Sequence, residues 1–462
     1  MKLIEKLIAK PERRLNHSRS LLSVTLLCLL CAPWLVLFWM SAQAREQQAA
    51  ADAQAQTFFA QFSATSVNDS AQQIDRLGAA LGFSPNARYL ESVIIDQAAA
   101  ADFRTIDQSL TRFLQTQTAL VSRPIEPLPA DLAAYLSVYK DRLDKAEQLI
   151  LESSYPQWEM TLEKMFDPNY PSPGFFNIFY LQKLILLSAI DYHHQGQSAQ
   201  MLSAMEASWR LNQAIAQRPD LVSQILSSII VTQQASLLRH FEAIPSRWQS
   251  RLASQSPQQS ILTGLQFENW LKYKVSQSIS SVHRPSETLS SALSSALSGG
   301  FSGGFSGWFS MRSYFRLEAT KAAITTDAAL DLLATTDICS QSQVVVEKKL
   351  RELQVDRGKA ETAFSSTAIA RRWKNAGDRA LALELSEHVL IAKQQRAEHG
   401  TWPTYLPNLT SQTCPNERWI YEVTEDTMTL SLSKPLITGA RVPLKYIARE
   451  YIAREYIAEE LL

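Results

Sequence analysis

The fold class is decided by residues 192–242, which read YHHQGQSAQMLSAMEASWRLNQAIAQRPDLVSQILSSIIVTQQASLLRHFE. Apolar side chains recur there at the i, i+3, i+4, i+7 spacing of one helical face, on both sides of a break at Pro219. They are Met201, Leu202, Met205 and Trp209 before the break, and Val222, Ile225, Leu226 and Ile229 after it. The pattern predicts two successive amphipathic helices that pack as a hairpin.

The same stretch resembles a helical-repeat-like segment of uncharacterised bacterial single-pass membrane proteins. The resemblance rests on the turn at Gly196, the paired helices and the RPDLV break at 218–222. The Trp/Gly/Tyr signature of a tetratricopeptide repeat is missing. The resemblance therefore implies helical hairpins rather than a counted repeat.

Composition extends the helical prediction to the whole chain. Only 14 glycines occur among 462 residues, 46% of the residues are hydrophobic, and such a composition favours helices over sheets. A chain of this length is expected to form two or three units. Lys+Arg and Asp+Glu both number 45, so no basic surplus is available for a phosphate backbone and nucleic acid is not expected as a partner. We expect a mainly α protein.

Residues 21–40, LLSVTLLCLLCAPWLVLFWM, contain no charge and are long enough to cross the roughly 30 Å hydrocarbon layer once as a helix. Six basic residues against two acidic ones precede this stretch in residues 1–20, and a single arginine lies in the twenty residues after it. The positive-inside rule then keeps the N-terminus in the cytoplasm. The sequence predicts a bacterial inner-membrane protein with one spanning helix and most of its chain in the periplasm.

Two other interpretations of residues 21–40 remain open. A cleaved signal peptide is one, because Ala42-Gln43-Ala44 has the small-x-small pattern before a cleavage site. The apolar stretch is longer than the signal peptide's usual 7–15 residues, which favours an anchor. The other is a buried core helix, which a basic flank disfavours.

The exported part divides by composition into five segments. They are a helical domain at 41–285, a Ser/Gly/aromatic loop at 286–313, a helical segment at 314–372, an α/β module at 373–445 and a repeated tail at 446–462. The loop is expected either to tuck onto the helices or to touch the membrane or a partner. Residues 445–462, KYIAREYIAREYIAEELL, repeat with a period of five that leaves no single apolar face on a helix. A solvated tail is predicted, with a partner-binding helix as the alternative.

The C-terminal module begins with a helix over 379–399, which Gly400 should end. Residues 419–423 and 427–432 are two short β-type runs separated by Thr424-Glu425-Asp426. They predict an antiparallel hairpin that packs against the helix.

This module resembles the globular part of type II secretion pseudopilins, in which a helix ends in an HGxWP-like element followed by a loop and a small sheet. The residues that carry the resemblance are Gly400, Trp402, Pro403 and Leu406. In pseudopilins the helix adjoins the N-terminal membrane segment and follows a prepilin processing motif, whereas here most of the chain intervenes and that motif is absent. The resemblance implies a fold without an activity.

Candidate sites are few. Cys339 and Cys414 are the two cysteines of the exported part, and in an oxidising compartment they are expected to form a disulfide. Cys28 and Cys31 lie inside the predicted anchor as apolar fillers. His193 and His194 would point about 100° apart on a helix, so a shared metal is not expected.

No metalloprotease, nucleophile-elbow, P-loop or dinucleotide motif occurs in the chain, so no catalytic residue and no cofactor are predicted. Acids such as Asp141 and Asp144 are interpreted as helix-surface charges. The leading hypothesis is an envelope protein that binds other proteins or organises an assembly, because helical hairpins offer grooves for partner segments. The alternatives are a membrane-tethered envelope enzyme and an accessory component of a secretion or pilus-like system.

Overall fold

A computed structural model describes residues 42–83, 93–165, 175–282, 304–353, 365–424, 427–434 and 444–449. The chain divides into two compact units. Unit 1 comprises Met1–Phe58 and Ser276–Ile324, and unit 2 comprises Phe59–Val275 and Thr325–Leu462. The predicted anchor at 21–40 lies outside the described residues, together with Cys28 and Cys31.

The described chain is mainly helical, with a small antiparallel sheet near the C-terminus. In chain order the helices are α1 (42–59), α2 (Asp69–Ala80), α3 (Gln97–Thr118), α4 (Ala130–Glu152), α5 (Leu162–Met165), α6 (Phe176–His194), α7 (Ser198–Ala216), α8 (Leu221–Leu238), α9 (Arg247–Ala253), α10 (Pro257–Val282), α11 (Gly304–Ala334), α12 (Gln343–Glu352) and α13 (Ser366–His399). The strands are β1 (Trp419–Val423), β2 (Thr427–Leu432) and β3 (Lys445–Arg449).

The described part of unit 1 consists of helical segments: most of α1, the end of α10 and the first two thirds of α11. The Ala- and Gln-rich stretch after the predicted anchor is therefore helical, as its composition favours. Gln48 of α1 donates a hydrogen bond from Nε2 to Oε1 of Gln277, at 3.5 Å.

The core of unit 2 is built around α6, α7 and α8, and the last two are the helices that the opening stretch of sequence predicted. The turn between α6 and α7 contains Gly196 at φ +69°, a left-handed conformation that glycine adopts without steric cost. The break at Pro219 separates α7 from α8, and Asp220 caps α8 by accepting a hydrogen bond from the backbone N–H of Ser223 at 2.9 Å.

Helix α8 carries no charged residue along its whole length. Within the described ranges it is the one helix whose length and composition would suit a bilayer crossing. Because 83% of its most apolar window is buried inside the protein, α8 serves here as a core helix. It packs against α7 and α13.

The loop prediction for 286–313 is wrong for residues 304–313, because α11 already begins at Gly304. Phe305, Trp308 and Phe309 have the i, i+3, i+4 spacing of a helix, and extending an existing helix through a glycine costs only about 1 kcal/mol. Residues 286–303 lie outside the described chain.

The C-terminal module contains the predicted antiparallel hairpin. Helix α13 starts earlier than expected, at Ser366, and ends at Gly400, whose φ is +79° and whose N–H donates to the carbonyl of Arg396 at 2.8 Å. Strands β1 and β2 pair antiparallel, with Trp419 opposite Leu432. A face of α13 that includes Leu385 and Val389 is buried against the sheet and the loop before it.

The tail prediction is wrong for residues 445–449, which form β3 and pair antiparallel with β2. Tyr446 and Ala448 are buried while Ile447 between them is half-buried, so the segment follows the period of two of a strand. The edge of β2 that faces away from β1 pairs with this segment, and the local sequence does not reveal such a tertiary contact. Residues 450–462 are outside the described chain.

Candidate functional site

A surface groove lies between α2 and α4 in unit 2, with a volume of about 390 Å³. It is lined by Gln73, Arg76 and Leu77 from α2 and by Lys145, Gln148, Leu149 and Glu152 from α4. These positions recur at i, i+3, i+4 on each helix, so each helix presents one face to the groove. Neither face stood out in the sequence, because each mixes one leucine with charged and amide side chains.

The floor of the groove is apolar and its walls are polar. Leu77 and Leu149 are half-buried and pack against the main core of unit 2, whereas the amide and charged side chains around them are exposed. The two helices are tied together by the hydroxyls of Ser70 and Ser153, which are 2.8 Å apart. The groove is therefore open to solvent and backed by packed helices.

The charges of the groove are unbalanced. Glu152 accepts a hydrogen bond from the Gln148 amide at 2.9 Å. Arg76 and Lys145, which stand on opposite helices, make no hydrogen bond or ion pair with any residue that the structure describes. The groove thus offers two free cations on either side of an apolar floor.

A second cluster of ionisable side chains joins α4 to α6. The Nζ of Lys140 lies 2.6 Å from the Tyr192 hydroxyl and 3.1 Å from Oδ1 of Asp144, and that hydroxyl donates to Asp144 at 2.9 Å. Asp144 is therefore part of a network, not only the surface charge that the sequence suggested. The i, i+4 spacing of Lys140 and Asp144 was a signal for their pair, but nothing local pointed to Tyr192.

Two groups of this hydrogen-bond network, Lys140 and Tyr192, have raised pKa values and therefore hold their protons more tightly than usual. Burial raises the pKa of Tyr192. Burial disfavours the charged form of Lys140, but hydrogen bonds to Tyr192 and Asp144 outweigh it and raise the lysine's pKa. Burial and the nearby Asp144 raise the pKa of Glu147 to about 8. At neutral pH these groups therefore carry protons, and the hydrogen bonds among Lys140, Asp144 and Tyr192 tie α4 to α6.

The structure does not bring His193 and His194 onto a common ligand. The His193 ring packs 4.9 Å from that of Phe241, and burial lowers its pKa. Nε2 of His194 lies 3.0 Å from the backbone carbonyl of Glu126. Across the described ranges no three His, Cys, Asp or Glu side chains are grouped so as to hold a metal ion.

Cys339 and Cys414 are joined by a disulfide, with 5.6 Å between their Cα atoms. The bond links the segment between α11 and α12 to the loop that precedes β1. Cys414 is fully buried within the module. The disulfide thus ties the middle helices to the C-terminal module.

The four residues on which the predicted resemblance rests have structural positions in the module. Gly400 ends α13, and Trp402 and Leu406 are buried in the module core. The carbonyl of Pro403 accepts a hydrogen bond from the Tyr421 hydroxyl at 2.8 Å. These contacts hold the chain that leaves α13 against the sheet.

Sequence reasoning missed Glu384, whose carboxylate organises the loop around Cys414. Oε1 accepts from the backbone N–H and the hydroxyl of Thr413 at 2.6 and 2.5 Å. Oε2 accepts from the hydroxyl of Ser411 at 2.7 Å and from the indole N–H of Trp419 at 3.1 Å. No local pattern marks one glutamate of a long helix for this role, because all four donors lie beyond the end of the helix.

Comparisons with known proteins yield no relatives for this chain. No protein-family model matches it, and neither the curated proteins nor the solved structures include a significant match.

Proposed function

We propose that this protein is a single-pass protein of the bacterial inner membrane whose periplasmic helical domain binds another protein. The uncharged stretch 21–40 and the basic residues before it support this address. The disulfide between Cys339 and Cys414 supports it independently, because disulfides persist in oxidising compartments such as the periplasm.

The observation that carries the binding function is the groove between α2 and α4. It combines an apolar floor with exposed polar walls and unpaired charges, which is the arrangement that a partner segment can cover. An open groove suits a segment of another protein better than a small substrate, which is usually enclosed on most sides. Lys140, Asp144 and Tyr192 are not among the residues that line this groove, so this cluster lends no support to an enzyme site there.

Site-specific photo-crosslinking in intact membranes tests this function. A photoreactive residue is placed at Gln73 or Gln148, both exposed in the groove, and at Asp141, which is exposed on α4 but does not line the groove. We expect one discrete protein adduct from each groove position and none from Asp141. Adducts of equal yield at all three positions, or none at any, would contradict a specific partner in this groove.

A further inference from the structure

We propose that the groove between α2 and α4 receives an acidic, amphipathic helical segment of the partner protein. This inference rests on the proposed function and specifies the chemistry of the partner. Carboxylates of the segment would meet Arg76 and Lys145, and an apolar side chain between them would lie on Leu77 and Leu149.

The two cations differ from their neighbours in having no partner. On the same helix α4, Lys140 is paired with Asp144 at 3.1 Å and Arg142 with Asp96 at 2.9 Å. Lys145 and Arg76 have no such acid among the described residues, and they line the groove from separate helices. A ligand with negative charge on both sides can therefore satisfy both without displacing an existing ion pair.

The single acid of the groove does not cancel this preference. Glu152 already accepts a hydrogen bond from Gln148, one helical turn before it. With Arg76 and Lys145 against Glu152, the groove carries a net positive charge. A basic segment would meet two like charges. The charge pattern therefore attracts an acidic segment and also repels a basic one.

The spacing of the lining residues favours a helical segment. The residues that line the groove recur every three to four positions on each of the two helices, and an amphipathic helix presents its own side chains at the same period. A volume of about 390 Å³ holds a few side chains rather than a whole element, so the segment would insert one face and leave the other in water.

A binding experiment on the full chain in detergent tests the charge preference directly. The probe is a short fluorescent helical peptide with glutamates at i, i+4 spacing and leucines between them, compared with the same peptide carrying lysines. The groove variant is Arg76→Glu/Lys145→Glu. The control variant is Arg104→Glu/Arg112→Glu, which makes the same charge change at exposed arginines of α3. Unchanged thermal unfolding verifies that both variants are folded.

We expect the glutamate peptide to bind the wild-type chain with an affinity that falls as salt is added. The groove variant should bind it about tenfold more weakly and should now prefer the lysine peptide, while the control variant behaves as wild type. Equal affinity of the glutamate peptide for all three proteins, or no binding to the wild type, would overturn the inference.

Crosslinking separates this inference from the proposed function. If the adduct formed at Gln148 persists in the groove variant at full yield, a protein partner binds there but is not held by its acids, and only the inference fails. If no adduct forms in the wild type, the proposed function fails. Loss of the adduct in the groove variant alone supports both.

Discussion

Glu147 is a buried carboxyl group whose Oε1 makes no hydrogen bond, and we expect its ionisation to contribute to how stability depends on pH. Burial raises its pKa from 4.5 to about 8. As the pH rises from 4.5 toward 8, the unfolded chain loses this proton while the folded protein keeps it, so stability falls across that interval. Glu147→Gln removes this loss.

We expect the Glu147→Gln variant to unfold like wild type near pH 4 and to be more stable by about 2–4 kcal/mol at pH 8. Denaturant unfolding at a series of pH values measures the difference. Glu152→Gln, on the exposed face of the same helix, serves as the control and should show no such growth with pH. A constant difference for Glu147→Gln would show that the carboxyl group is ionised in the folded protein.

Arg239 is a fully buried guanidinium group. It donates to the Ser386 hydroxyl at 3.0 Å and the Ala382 carbonyl at 3.4 Å, its Nε has no partner, and burial lowers its pKa to about 10. No carboxylate in the described part of the chain is paired with it. Replacing such a charge with an apolar side chain often leaves stability unchanged or raises it, whereas removing one of its partners is costly.

A double-mutant cycle tests this account of Arg239. Arg239→Met should have a melting temperature equal to or above that of wild type. Ser386→Ala should cost about 1–3 kcal/mol in the wild-type background and much less beside Arg239→Met. If Ser386→Ala costs the same in both backgrounds, the hydroxyl acts through its own contacts and not through the buried charge.

The residue scale is where the sequence was least informative. The pairing of Cys339 with Cys414 was predicted because few cysteines were available to choose from. The roles of Glu147, Arg239 and Glu384 were not predicted. Each role depends on burial by elements far away in the chain or on partners outside the residue's own helix. A single glutamate or arginine in a helix has the same local pattern whether it ends in the core or in water.

Elements were predicted well where a period is long and uninterrupted. Helices α7 and α8 and the hairpin of β1 with β2 follow from spacing alone. The prediction failed at the start of α11 and at β3, where a short segment fits more than one regular structure. The five residues of β3 became a strand because β2 offers them an unpaired edge, which is information from tertiary structure.

Substitutions along β3 test its alternating burial. Tyr446→Lys should destabilise the module by about 3 kcal/mol or more, because it places a charge in the core and removes the hydrogen bond from the tyrosine hydroxyl to the Arg239 carbonyl, 2.7 Å long. Ile447→Lys, on the less buried face, should cost under about 1 kcal/mol. Denaturant unfolding followed by tryptophan fluorescence measures both. Equal small costs would mean that this segment is a solvated tail after all.

At the scale of the whole molecule, the mainly helical class and the small antiparallel sheet follow from composition and period. The division into two units does not follow from the sequence, because both α10 and α11 run from one unit into the other. Two of the predicted segment boundaries, 313/314 and 372/373, lie inside α11 and α13. Composition changes mark loops reliably only where the chain also lacks a helical period.

The disulfide connects the architecture of the molecule to its proposed address. It closes a loop of 75 residues, so Cys339→Ser/Cys414→Ser should lower the free energy of unfolding by about 2–5 kcal/mol.

In cells, the two thiols of the full chain should resist alkylation unless a reductant is added. Deleting residues 1–40 should keep the chain in the cytoplasm, where the same thiols would be reduced and alkylated without reductant. Thiols that are alkylated in the full chain as readily as in the truncated one would contradict the periplasmic address, whereas the stability loss would still measure the bond itself.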